Sequence, residues 1–129
     1  MSKTWMQTAD WKTEKHVPVI EAPDVMKKGD LVKVTVTVGK QVPHPNVTEH
    51  HICWVDLFFW PEGDKFPVEI GYMTFDTHGE SAQGPNTGSL YSEPQAVFTF
   101  KTAKAGTLMA TSYCNIHGLW KSEKEIKIK

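Results

Sequence analysis

The sequence predicts an all-β, immunoglobulin-like antiparallel β-sandwich of about seven strands, and three observations carry that expectation. Residues 31–38, LVKVTVTV, alternate with period two, so that Val32, Val34, Val36 and Val38 share one face and Lys33, Thr35 and Thr37 the other, as in a strand buried on one side. Eight prolines and nine glycines cluster between the apolar runs, where turns are needed. No window of ten or more residues sustains the 3.6-residue period of a helix. Short strands punctuated by turns, without a helix pattern, fit a sandwich.

The strands are expected, in order, over residues 17–20, 31–38, 51–60, 66–75, 96–102, 107–113 and 124–129. Between them lie the turn-forming stretches APDVMKKGD, WPEGDKF, HGESAQGPNTG and AKAGT, rich in the residues that tolerate turn dihedrals. The aromatic run Trp54, Phe58, Phe59 and Trp60 is expected in the core, and Cys53 beside it as a small buried apolar residue.

A chain of 129 residues is the size of one domain, here residues 1–129, with no repeat or linker. Hydrophobic residues make up 40% and charged residues 22%, with a formal net charge of -1. That balance lacks the basic field that nucleic acid or an anionic membrane surface requires. No stretch approaches the roughly 18 consecutive apolar residues of a membrane span, and MSKTWMQTADWKTEKH has no apolar signal-peptide core, so a cytoplasmic location is expected. The two cysteines, Cys53 and Cys114, are too few for a disulfide scaffold. In a reducing compartment they are expected free or metal-bound, with a single bridge formally open.

Histidines stand at positions 16, 44, 50, 51, 78 and 117, and imidazole with a single thiolate suits iron, copper or zinc. His44 lies in VPHPN, where the flanking prolines stiffen the backbone and lower the entropy lost on ligation. His50 and His51 point to opposite faces of an extended segment, so at most one reaches a given ion. Cys114 and His117 can share an ion only across a turn. Asn115 and Gly118 suit such a turn, and its amides can donate to the sulfur. His16, in EKHVP, precedes the first strand. His51 is expected to face away and His78 to be an ordinary turn residue. By these residues alone the metal is undecided.

Taken together, EKHVPVIEAP, VGKQVPHPNVTEHHICW, HGESAQGPNTG and SYCNIHGLW resemble the superoxide reductases, specifically the one-iron neelaredoxin class. The likeness runs over nearly the whole chain. The two-iron desulfoferrodoxins add an N-terminal four-cysteine site, and no CxxC pair for such a centre exists here. The resemblance implies one iron ion held equatorially by His16, His44, His50 and His117, with Cys114 as axial thiolate and a sixth position open. It also implies that Glu14 closes that position in the ferric state and that Lys15 stands near the open face to steer superoxide. Reduction of superoxide to hydrogen peroxide is the implied activity, with rubredoxin or a similar redox protein as electron donor and a homotetramer as the implied assembly. Cys53 departs from relatives that carry a basic residue after EHHI. Two other readings compete: a cupredoxin, disfavoured because no methionine follows Cys114 and histidines would be left idle, and an immunoglobulin-like binding domain with a Cys53–Cys114 bridge. A dismutase would differ by evolving oxygen.

Overall fold

The computed structural model describes residues 3–129. Eight strands are formed: β1 (Pro18–Glu21), β2 (Val25–Met26), β3 (Leu31–Val38), β4 (Ile52–Pro61), β5 (Val68–Thr74), β6 (Gln95–Lys101), β7 (Gly106–Cys114) and β8 (Gly118–Ile128). Among the described residues there is no helix, and so none long and apolar enough to cross a membrane. One sheet has the order β1-β3-β6 and the other β2-β8-β7-β4-β5. All pairings are antiparallel except that of the two-residue β2 with β8.

The expected strand 31–38 is found with those limits. Its four valines are 1%, 0%, 0% and 2% exposed, and they meet Val55, Leu57 and Phe59 of β4, Leu108 and Ala110 of β7 and Ile126 of β8 in one continuous core. Burial of a side chain such as Leu57 stabilises by about 2 kcal/mol. Two expectations are corrected. β2 falls in a stretch that reads as pure turn, because a two-residue strand has no periodicity to detect. β8 begins at Gly118, six residues before the expected start, because a polar-rich segment pairs with β7 along its whole length.

The aromatic run also divides differently from expectation. Phe59 is buried, but Trp54 and Phe58 are only half-buried and Trp60 is 50% exposed. Alternation from the core residues Val55, Leu57 and Phe59 sends positions 54, 56, 58 and 60 to the outer face. Cys53 is half-buried rather than buried. It occupies an irregularity where the β4–β7 register shifts between Ile52 and Trp54, so strict alternation does not set its direction.

Candidate metal centre

The strand registers bring several chain ends to one end of the sandwich. Pro18 at the start of β1 pairs with Val38 at the end of β3, Ile52 at the start of β4 with Cys114 at the end of β7, and Cys114 with Gly118 at the start of β8. His16 precedes β1, His44 and His50 lie between β3 and β4, and His117 lies in the β7–β8 turn. Residues far apart in sequence therefore share one rim.

There the imidazoles of His16, His44, His50 and His117 close a four-membered ring. Successive ring centroids lie 4.8 Å apart from His16 to His44 and from His44 to His50, 5.0 Å from His50 to His117, and 4.7 Å from His117 to His16. Neighbouring planes are inclined by 52° to 79°, so edges rather than faces turn to one another. Donor atoms of His16, His50, Cys114 and His117 all lie within 4.8 Å of one another. His16 Nε2 is 3.1 Å from His117 Nδ1. Metal–imidazole bonds of about 2.1 Å at right angles would set neighbouring nitrogens about 3.0 Å apart. Cys114 Sγ is 3.8 Å from His117 Nδ1 and its residue is 1% exposed, in the core side of the site.

Two of the rings are held by a contact that selects the nitrogen facing the centre. His16 Nδ1 lies 2.9 Å from Glu14 Oε2, and the His16 backbone N–H donates to Glu14 Oε1, leaving Nε2 inward. His44 Nδ1 donates to the Pro45 carbonyl at 2.6 Å. Such partners fix the tautomer and orientation of a ligating histidine. The Trp120 ring stacks on His16 at 4.9 Å and 13°, while its indole N–H donates to the His117 carbonyl at 3.2 Å. The buried Ser112 hydroxyl donates to the His16 carbonyl at 3.1 Å. In the turn, the His117 amide donates to Cys114 Sγ at 3.4 Å, the sulfur contact expected from the sequence. Gly118 adopts φ +80°, where a Cβ is unfavourable although no neighbouring atom obstructs it.

Burial and neighbouring charge favour the neutral form at two of the rings, His44 and His50. Burial lowers the His44 imidazole to about 4, against the pull of the Pro45 carbonyl and with help from His16, His50 and Lys15. His50 is lowered by burial first and then by His117, His16 and Lys15. Partial burial pushes the Glu14 carboxyl up, and its hydrogen bonds with the His16 side chain and amide pull it below the usual value. Neutral imidazoles are the form a metal requires.

The donor set fits a metal ion on an independent observation: the buried Nε2 atoms of His44 and His50 have no hydrogen-bond partner. Leaving such a group unsatisfied costs about 1–3 kcal/mol. An ion at the middle of the ring would satisfy both. Neutral nitrogens with one thiolate suit a transition metal rather than magnesium or calcium. Both cysteines are free thiols, so the bridge left open by the sequence is not formed.

A β-sandwich that gathers four imidazoles and one thiolate on one rim defines a mononuclear metal-binding protein. The chain belongs to the desulfoferrodoxin family, whose model matches residues 8–123. It is 56% identical over 118 residues to the superoxide reductase of Pyrococcus furiosus, across 92% of this chain and 93% of that one. It is 52% identical over 123 residues to the neelaredoxin of Megalodesulfovibrio gigas, across 95% of each chain. Among solved structures, superoxide reductase (neelaredoxin) from Archaeoglobus fulgidus in the reduced form superposes with a TM-score of 0.90 at 56% identity, covering 96% of this chain and 99% of that one. The likeness drawn from four short motifs is borne out.

Glu14 is turned onto His16 and engaged with it, so its carboxylate orients that ring. His51 does stand outside the ring of four, with Nδ1 at 2.9 Å from the Val47 carbonyl. His78, expected in an ordinary turn, is 2% exposed and stacked on His51. The sequence also gives no sign of Asn115 as a clamp: its Oδ1 accepts from the His51 amide at 2.9 Å and its Nδ2 donates to the Glu49 carbonyl at 3.0 Å. Its partners lie more than sixty positions away. Trp120 was detectable only as part of the Cys-x-x-His-Gly-x-Trp spacing.

Proposed function

We infer that this protein is a superoxide reductase, which converts superoxide, one electron and two protons into hydrogen peroxide at a single iron ion. The observation that carries the reading is the ring of four imidazoles, two with orphaned Nε2 atoms, beside the buried sulfur of Cys114. His16, His44, His50, His117 and Cys114 would hold the ion. Bound iron supplies a one-electron couple and a coordination position for a diatomic anion. The protein's own groups do the rest. The Cys114 sulfur supplies negative charge and electron density, moderated by the His117 amide. Neutral imidazoles leave the site's charge positive, which attracts an anion although the chain as a whole is slightly negative.

Lys15 adds a flexible positive charge whose influence reaches both His44 and His50. Its role in this reading is to steer superoxide. Glu14 orients His16 in the conformation described and, on rotating away, would supply a carboxylate oxygen to ferric iron. The electron comes from rubredoxin or a similar redox protein, and the exposed His117 gives such a donor an edge close to the centre. The protein acts as one domain, residues 1–129, in the cytoplasm. A homotetramer with β-strands at its contacts fits the half-exposed outer face that carries Trp60 and Tyr72.

Metal analysis joined to a superoxide assay tests the reading. One iron per chain is expected, with superoxide consumed against a reductant and no catalysed oxygen release. Catalysed evolution of about one oxygen per two superoxide ions would establish a dismutase instead, and stoichiometric copper a cupredoxin-like carrier. Lys15→Ala is expected to slow superoxide capture several-fold and flatten its salt dependence while iron content stays constant; an unchanged second-order rate removes Lys15 from the mechanism.

A further inference from the structure

The segment that delivers His44 and His50 has little regular structure of its own. It closes a tight turn in which Val47 and His50 exchange backbone hydrogen bonds at 3.1 and 3.2 Å, and beyond that it depends on the excursion between β5 and β6. Asn86 Oδ1 accepts from the Thr48 amide at 2.9 Å, and Asn86 Nδ2 donates to the Glu49 carboxylate. At the centre of this contact lies His78, buried at 2% exposure.

Both ring nitrogens of His78 face an acceptor oxygen, and the single N–H of the neutral ring donates to one of them. Nδ1 lies 3.0 Å from Asn46 Oδ1 and Nε2 lies 2.6 Å from the Phe75 carbonyl. Its amide donates to Glu80 Oε1 at 2.6 Å, and its carbonyl accepts from the Thr48 hydroxyl at 2.5 Å. Asn46 Nδ2 donates to the Ser92 carbonyl at 3.0 Å, which fixes the amide so that Oδ1 faces His78. The imidazole also lies flat on His51, with centroids 3.4 Å apart and planes 6° from parallel. His51 is the residue next to His50, and Asn46 stands two residues from His44. One buried ring thus braces both arms of the segment.

We propose that His78 is a positioning residue for the metal centre: through Asn46 and the stacked His51 it holds the 44–50 segment so that the His44 and His50 imidazoles meet the other donors. This rests on the reading of the rim as an iron site. A ligand held only by its own flexible connection pays conformational entropy on binding, whereas one held in place beforehand does not. Loss of supporting partners behind metal ligands typically weakens binding by about 10- to 100-fold. His78 touches none of the five proposed donors in the hydrogen bonds and ring contacts found here, and acts through its neighbours.

The test compares the intact protein with His78→Phe, which keeps an aromatic ring on His51 and removes the polar contacts of the side chain with Asn46 and Phe75. Ferrous iron affinity is measured anaerobically by chelator competition, and the visible spectrum is recorded on the cobalt(II)-loaded proteins. His78→Phe is expected to weaken iron binding by about 10-fold or more and to change the cobalt spectrum, because two of the ligands lose their set orientation. His78→Gln, able to donate to one of the two acceptors, should fall between. If His78→Phe fails to fold, Asn46→Ser breaks the same link with His78 in place, and the same weakening is expected. Affinity and spectrum equal to those of the unmodified protein would overturn the proposal while leaving the iron site intact. Failure of the unmodified protein to bind iron would overturn both.

Discussion

Cys114 and His117 reach the metal centre on a hairpin, whereas His44 and His50 reach it on an irregular connection braced from behind. The hairpin joins β7 and β8, paired from Gly106↔Ile126 to Cys114↔Gly118, so its two donors inherit their position from a long ladder of backbone hydrogen bonds. The 44–50 segment takes its shape from side-chain hydrogen bonds with residues 30 to 46 positions away, among them His78, Asn86 and Ser92. A local scaffold tolerates side-chain loss nearby. A scaffold made of remote side-chain contacts does not, because each contact carries a larger share of the geometry.

That contrast can be broken most directly at Cys114. Cys114→Ser keeps the hairpin and removes the thiolate; metal affinity should fall by on the order of 100-fold, at or beyond the loss expected from removing a supporting partner. Chelator competition measures it, and the sulfur-to-metal absorption of the oxidised protein should vanish. Retention of that absorption would exclude Cys114 as the sulfur donor.

Next in size is Asn115→Ala, which cuts the tie between the two scaffolds. Both of its side-chain hydrogen bonds go to the 49–51 segment, while its amide keeps its bond to the His51 carbonyl, so metal affinity should drop by roughly 10-fold and stability by about 1–2 kcal/mol. Equal affinity would mean that the hairpin and the segment are positioned independently. Gly118→Ala probes the hairpin alone. At φ +80° an alanine costs about 1 kcal/mol, seen as a Tm lowered by a few degrees, and metal affinity should change less than twofold because the ladder on either side persists.

The smallest effect on the site is expected far from it, at Asp56 on the outer face of β4. Burial, then the hydrogen bond and negative charge of Glu69, raise its carboxyl from 3.8 to about 7. The folded state therefore binds the proton more tightly than the unfolded chain. Its contribution to stability is complete below pH 3.8 and is lost as pH rises through about 7. Above that, an ionised carboxylate with a buried, unpartnered Oδ1 must sit beside Glu69. Asp56→Asn should accordingly gain Tm relative to the unmodified protein between pH 5 and pH 9, by about 3 °C, with metal affinity unchanged. A Tm difference independent of pH would contradict the raised carboxyl.

How much of this was legible beforehand differs from residue to residue. The valines of β3 declare their face because side-chain direction alternates every residue, and the core they form follows. β2 and the first half of β8 do not, since one is too short to show a period and the other is held by pairing with β7 rather than by apolar alternation. At the site, His16, His44, His50, Cys114 and His117 were named from motif likeness. His78 is not legible in this way: a histidine between a threonine and a glycine looks like any turn residue until the chain places Asn46 and His51 against it.

Local spacing in the chain is enough to give the sandwich class, the buried face of β3, the donor types available and the family to which the chain belongs. All of these rest on local spacing and on the chemistry of single side chains. Only the tertiary structure decided which imidazole nitrogens face inward, that Glu14 turns onto His16, and that Asn115 and His78 secure the 44–50 segment. The physical reason is that orientation is set by partners dozens of residues away. Such partners become neighbours only when strand registers bring separate chain ends to one rim.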